Sequence, residues 1–186
     1  MKLESRCQQI ELILSDVDGV LTDGGILFDN QGVESKRFHV RDGMGIKLWR
    51  TAGYRFGIIT GRSSQVVANR AAELKLDIVR QGVKDKRIEL KSVLQELGVD
   101  PQKTCFIGDD LPDLPAMSNV GLAVAVADAA DDVRQRADYV TQLGGGAGAV
   151  RETIETILKC QARWNQLIEK YTTAKELEPS DASRAA

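Results

Sequence analysis

Short apolar runs alternate with amphipathic stretches along most of this chain. IELILS (10–15), YRFGIIT (54–60), LDIVRQG (76–82), KTCFIGD (103–109), VGLAVAV (120–126) and ADYVT (137–141) are brief and β-prone, which predicts buried strands. MGIKLWRTAG, SSQVVANRAAELK, DKRIELKSVLQELG, DLPAMSN and DDVRQRA lie between them and carry apolar residues at helical spacing. Strand–helix alternation of this kind predicts an α/β fold, a parallel sheet with helices on both faces. Ligands of such folds sit at the carboxyl ends of the strands. Two segments depart from the alternation. GGILFDNQGVESKRFHV (24–40) has two β-prone runs around DNQG, the pattern of a hairpin projecting from the first strand. After Gly146, Val150, Ile154, Ile157, Leu158, Gln161, Trp164, Ile168 and Tyr171 form a stripe that predicts one long helix over 149–172, packed on the sheet or on another subunit. The remaining stretch, 173–186, is polar and predicts a disordered tail. Residues 1–172 then form a single domain, and no internal repeat is present.

Composition narrows the class. The 186 residues are 42% hydrophobic and 28% charged, with a net charge of −2, ordinary for a soluble globular protein. Bulk electrostatics give no reason to expect a nucleic acid or an anionic membrane as partner. Cys7, Cys105 and Cys160 form no CxxC pair, a distribution that fits reduced thiols better than a disulfide framework or a zinc site. The N-terminus reads as neither a signal peptide nor a membrane span, so a cytoplasmic location is expected.

LSDVDGVLTDGG (14–25) leaves the first strand carrying three aspartates. Residues i and i+2 of a strand point the same way, so Asp16 and Asp18 can share a site, and Gly19 permits a sharp turn. Two carboxylates that close repel each other unless a cation offsets them. A hard oxygen set suits Mg²⁺, which takes a few carboxylates together with water and phosphate oxygens. Kept ionised, Asp16 can attack phosphorus. Asp18 can then protonate the leaving alcohol and later deprotonate water.

The other strand ends carry matching chemistry. FIGDDLPDLP (106–115) repeats the sequence of strand, glycine and carboxylates, so Asp109 completes the metal set while Asp113 or Asp110 holds ligands or waters behind it. In IITGR (58–62), Thr60 can donate to a phosphate oxygen and Gly61 lets its N–H approach closely. QGVKDK (81–86) offers Lys84 and Lys86 as a helix begins, and one of them can bind phosphate as a point charge. Arg41, Asp42 and Gly43 immediately precede a helix, where backbone N–H groups can receive an anion. His39 is the sole histidine, a residue more often structural than ligating when alone. Arg62 and Arg70 lie two helical turns apart, and a substrate bearing a carboxylate needs at least one bidentate partner of that type.

The order DxDGV, TG, K, GDxxxD, each at a strand end, resembles the four motifs of the haloacid dehalogenase superfamily, matched by Asp16 with Asp18, Thr60, Lys86, and Asp109 with Asp113. DVDGVLTDG, FHVRDGMGIK, IITGR, QGVKDK, IGDDLPDLP, AVADA and GGAGAVRE together resemble the 3-deoxy-D-manno-octulosonate 8-phosphate phosphatases over residues 8–160. The resemblance implies a Rossmann-like, Mg²⁺-dependent phosphatase of lipopolysaccharide precursor synthesis that works through an aspartyl-phosphate on Asp16. It implies a metal held by Asp16, the backbone oxygen of Asp18, and Asp109, with Lys86 rather than Lys84 on the phosphate. It brings Asp18, His39, Val40, Arg41, Asp42, Gly43, Gly61, Arg62, Arg70 and Lys86 to the sugar-acid substrate.

Many relatives in that superfamily insert a cap domain, but the gaps here hold only the hairpin and, over 63–83, one helix and one strand. A covered site then needs another subunit, and the resemblance implies a homotetramer in which a hairpin barrel and a neighbour's C-terminal segment approach each site. Gly144–Gly148 reads as the flexible start of that segment. Ala147 stands where some relatives carry a basic residue, which removes a cation from the shared wall. Relatives acting on nine-carbon sialic-acid-type 9-phosphates carry glutamate after the TG pair; Arg62 at that position favours the eight-carbon substrate. A signalling receiver domain shares the acidic Mg²⁺ pocket but has no acid two residues after the phosphorylated aspartate. A catalytically silent assembly or regulatory module has no support, since all four motifs are filled.

Overall fold

The computed structural model describes residues 2–172; the expected tail, 173–186, lies outside the described residues. A helix that the apolar pattern does not announce, α1 (Leu3–Cys7), precedes the central strand β1 (Leu12–Ser15). All four residues of β1 are buried, because it pairs in parallel with β4 (Arg55–Ile59) on one side and β6 (Thr104–Gly108) on the other. A strand covered on both faces selects a continuous apolar run rather than alternation. β5 (Ile78–Arg80) extends the sheet beyond β4, while β7 (Leu122–Ala125) and β8 (Tyr139–Val140) extend it beyond β6. The order β5-β4-β1-β6-β7-β8 is wholly parallel. Chain direction across the sheet thus reverses at β1, the place where crevices open at strand ends in this architecture.

The helices fall into two packed groups. α2 (Val40–Thr51) packs on α7 (Ala149–Cys160), which also meets α1, and α3 (Gln65–Leu74) touches α2. α4 (Lys86–Leu97) packs on α5 (Leu114–Met117), and α6 (Asp131–Arg134) is a single turn. The hairpin is present as β2 (Leu27–Phe28) and β3 (Glu34–Ser35), antiparallel with Leu27 opposite Ser35. Asp29 closes its turn by accepting from the N–H groups of Gln31 and Val33 at 2.9 and 2.8 Å.

Three local expectations are revised. α2 begins at Val40, with His39 Nδ1 accepting from the Arg41 N–H at 3.3 Å, so Arg41, Asp42 and Gly43 lie inside its first turn rather than before it. The Gly144–Gly148 loop is pinned: Gly146 N–H donates to Val20 O at 2.9 Å and Gly145 N–H to Asp128 Oδ1 at 2.8 Å. The long C-terminal helix is two helices, α7 and α8 (Trp164–Thr172). α7 ends in a Schellman motif, Arg163 N–H to Leu158 O at 2.9 Å and Ala162 N–H to Lys159 O at 3.0 Å, with Ala162 at φ +56°. Val150, Ile154, Ile157 and Leu158 are fully buried, but beyond the break Leu167 is the buried residue and Tyr171 is exposed.

A left-handed alanine is strained by about 1–2 kcal/mol, more than the roughly 0.5–1 kcal/mol of extra chain entropy a glycine carries. Ala162→Gly should therefore stabilise the protein by about 0.5–1 kcal/mol, seen as a higher denaturation midpoint. A lower midpoint would show that α7 and α8 are held apart by something other than this cap.

Candidate active site

Four neighbouring parallel strands deliver the expected chemistry to one edge of the sheet. β1 leads into Asp16 and Asp18, β4 into Thr60 and Gly61, and β6 into Asp109; the turn after β5 leads to Lys86 at the head of α4. These side chains, with Arg62, Lys84, Asp110 and Asp113, wall a cavity of about 210 Å³. Gly19 has φ +91°, and a methyl group there would run into the Asp109 carboxylate. Only a residue without Cβ lets the loop turn while Asp109 comes this near.

Asp113, 1% exposed, organises the floor. Its Oδ1 accepts from Lys86 Nζ at 2.6 Å, and its Oδ2 accepts from the Asp109 and Asp110 N–H groups at 2.9 and 3.3 Å. Lys86 Nζ also lies 3.0 Å from Asp16 Oδ1. Asp85 fixes that lysine at the start of its helix, capping it by accepting from Arg87 and Ile88 N–H at 2.9 and 3.1 Å. Lys86 is buried between two carboxylates, whereas Lys84 stands exposed at the rim. Asp110 faces solvent and accepts from the Leu111 N–H at 2.8 Å. Thr60 is buried, its backbone tied to Arg80 O and Val83 N–H at 2.9 and 3.1 Å.

Crowded carboxylates titrate abnormally. Burial first, and then the charges of Asp113 and Asp16, push Asp109 up to about 8. Burial and Asp113 push Asp16 up to about 6, against the pull of Lys86. Burial alone would lower Lys86, but Asp113 and Asp16 outweigh it and hold the ammonium above its ordinary value.

The donor set fits a hard divalent cation. Asp109 Oδ1 is a buried oxygen without a hydrogen-bond partner, and Asp16 Oδ1 has only the Lys86 ammonium beside it at 3.0 Å, whereas buried polar atoms are otherwise satisfied in folded proteins. Carboxylate oxygens of Asp16, Asp109 and Asp113 lie within 4.8 Å of one another. Both oxygens of Asp113 are already engaged, so Asp16 and Asp109 have lone pairs to offer while Asp113 braces the site from behind.

Not every expected residue reaches this cavity. His39, Asp42, Gly43 and Arg70 line a separate narrow crevice with Phe38 and Val17. Arg70 sits 5.8 Å from the Phe38 ring and pairs with Glu73 at 2.7 Å, leaving its buried Nε unpartnered. Asp42 accepts from the Arg151 N–H at 2.8 Å in the first turn of α7, and burial raises its pKa. Val40 and Arg41 are exposed. Two residues at the mouth escaped sequence reasoning. Lys36 Nζ donates to Asp18 Oδ1, and Glu34 lies 3.5 Å from Lys36 and 3.2 Å from Arg62 while accepting from the Ser64 hydroxyl. The signal was the i, i+2 spacing of the two charges on β3 and its extension, which aims both the same way.

Comparison with known proteins agrees with this geometry. A family model described as haloacid dehalogenase-like hydrolase matches residues 70–150. The 3-deoxy-D-manno-octulosonate 8-phosphate phosphatase of Escherichia coli strain K12 is 43% identical over 162 residues, spanning 87% of this chain and 86% of the relative. The chain belongs to this phosphatase family. The Yersinia pestis phosphatase structure superposes with a TM-score of 0.86 at 43% identity, covering 88% of each chain. The Moraxella catarrhalis phosphatase, solved with magnesium ion, phosphate ion and KDO molecule, superposes with a TM-score of 0.88 at 39% identity, covering 90% of this chain and 97% of that one.

The raised carboxylates of this family member have a definite pH signature. Across the span from about 4 to about 8, the folded metal-free protein keeps a proton on Asp109 that the unfolded chain releases. Metal-free stability should therefore fall as pH rises through that window. Mg²⁺ binding must displace that proton, so affinity measured by titration calorimetry should rise from pH 6 to pH 8, with proton release. Affinity and metal-free melting temperature that both stay flat with pH would contradict this electrostatic picture.

Proposed function

We propose that the protein hydrolyses 3-deoxy-D-manno-octulosonate 8-phosphate to the free sugar acid and phosphate through an aspartyl-phosphate on Asp16, within one phosphatase domain spanning residues 1–172. The observation that carries this is the convergence of Asp16, Asp18, Asp109, Thr60 and Lys86 in one cavity at the carboxyl edge of the sheet. A carboxylate oxygen of Asp16 attacks phosphorus as the ester P–O bond breaks, and Asp18 gives the leaving C8 oxygen its proton. Water then attacks the aspartyl-phosphate while Asp18 takes the proton back, releasing phosphate and free Asp16. Thr60, the Gly61 N–H and Lys86 hold the phosphate oxygens throughout. Asp16, the backbone oxygen of Asp18 and Asp109 would hold Mg²⁺, which would supply positive charge beside the phosphate. Arg62, beside Asp18 and half exposed at the rim, and Arg70 are the two arginines from which the substrate carboxylate takes its partner.

The same proposal includes a homotetramer in the cytoplasm. Ile26, Leu27, Phe28 and Val33 leave the hairpin with an exposed apolar surface, which suits burial against other copies of the chain. The crevice of Arg70 and the His39–Gly43 turn would then contribute to substrate in the assembled oligomer. The three cysteines are free thiols, as a reducing compartment favours. Among the described residues no helix is long and apolar enough to cross a membrane.

Phosphate release from the eight-carbon 8-phosphate should require Mg²⁺, stop with chelator, and exceed release from a nine-carbon sugar-acid 9-phosphate. Asp16→Asn should lose essentially all turnover while still binding Mg²⁺ weakly; retained turnover would remove Asp16 as nucleophile. Phe28→Asp should shift the sedimentation of the protein to smaller species, and an unchanged tetramer would take the hairpin out of the interface.

A further inference from the structure

We propose that Lys36, at the end of the hairpin's return strand, is the positioning residue that aims Asp18 at the leaving oxygen, with Glu34 holding Lys36 in place. The inference rests on the assignment of Asp18 as general acid and extends it to a residue outside the four motifs. The Lys36 side chain is only 1% exposed although it belongs to a projecting hairpin, and its ammonium donates to Asp18 Oδ1. An ammonium donates and never accepts, so Oδ1 cannot carry a proton in that direction while Lys36 holds it. The proton to be transferred therefore belongs on Oδ2, which is buried and has no hydrogen-bond partner. One oxygen is held and the other is left free for the substrate. As the bond from phosphorus to Asp16 forms and the ester bond breaks, the Oδ2 proton passes to the departing ester oxygen.

Glu34 completes the device. Its Oε1 lies 3.5 Å from Lys36 Nζ and 3.2 Å from Arg62 Nη2, and its Oε2 accepts from the Ser64 hydroxyl at the start of α3. Glu34 thus balances the charge that Lys36 brings beside Asp18 and ties it to a rigid helix terminus. Arg62 Nε, 3.7 Å from Asp18 Oδ2, is too long for a hydrogen bond and leaves that oxygen free.

The test uses the full-length, Mg²⁺-saturated protein and a series of substituted phenyl phosphates of graded leaving-group acidity. kcat/KM reports the steps through transfer to Asp16, and a poor leaving group depends on the acid more than a good one does. The slope of log kcat/KM against leaving-group pKa is independent of how much protein is folded. Lys36→Met, which keeps the buried stem, should steepen the slope. Its loss at the least acidic phenol should exceed its loss at p-nitrophenol by about tenfold, a part of the roughly 10²–10⁴ supplied by general acid catalysis. Lys36→Arg should recover most of the wild-type slope, and Asp18→Asn should steepen it further. If Lys36→Met only lowers the line in parallel while Asp18→Asn steepens it, Lys36 is a structural residue and this inference fails alone. If Asp18→Asn also leaves the slope at its wild-type value, the acid assignment fails and takes Lys36 with it.

Discussion

Asp16, Asp18, Asp109 and Asp113 sit in one small cavity, with the buried Lys86 ammonium between Asp16 and Asp113 and the Lys36 ammonium on Asp18, and their mutual repulsion governs the rest of the structure. Lys86 answers Asp113 and Asp16, and the backbone N–H groups of Asp109 and Asp110 answer the other oxygen of Asp113. Nothing comparable answers Asp109, which burial first, and then the charges of Asp113 and Asp16, push up to about 8. A site of this kind opposes folding without its cation, so the scaffold must impose it. The imposing element is β1, buried on both faces between β4 and β6.

The support reaches well beyond the strand ends. Asp42 in α2 accepts from the Arg151 N–H in the first turn of α7, where a carboxylate is favoured by the helix dipole. The loop just ahead of α7 donates from Gly146 to Val20 O, inside the loop that carries Asp16 and Asp18. Asp128 holds the same glycine loop from its other side. Segments more than a hundred residues apart thereby fix the loop that bears the nucleophile and the acid. This accounts for Asp42 as a brace between two helices, and for the rigidity of a glycine run whose composition suggests looseness.

Sequence patterns revealed the sheet and the motif residues for one reason: buried parallel strands are continuous apolar runs, and catalytic groups follow directly on their carboxyl ends. IELILS, FGIIT and CFIGD each announce both facts together. Misreadings arose where a local device replaced the pattern. His39 caps α2 in a role more usual for Ser or Asp, so the helix starts earlier than its apolar residues suggest. Ala162 stands in a left-handed cap that glycine normally occupies, which hides the break between α7 and α8. Periodicity could not separate the Arg70 crevice from the carboxylate cavity, because the division depends on how α2 and α3 pack. Lys36 was invisible for a different reason. Charged residues on a short projecting strand are ordinarily solvated, and only the folded hairpin shows one buried to 1% against Asp18.

That hairpin has two unlike sides. Its two short strands share only two residue pairs, too few to stand alone in water. Lys36 and Glu34 attach it to Asp18, Arg62 and Ser64 on the inner side, while Ile26, Leu27, Phe28 and Val33 remain exposed on the outer side. A weak element fastened on its inner side would, once its outer side was also covered, transmit what happens on one to the other. Packing the apolar side against neighbouring subunits would hold the strand that carries Lys36, and so the carboxyl that Lys36 aims. In a phosphatase without a cap domain, the element that covers the site and the element that orients the acid would then be the same, and assembly would become a condition for proton transfer rather than only for enclosure.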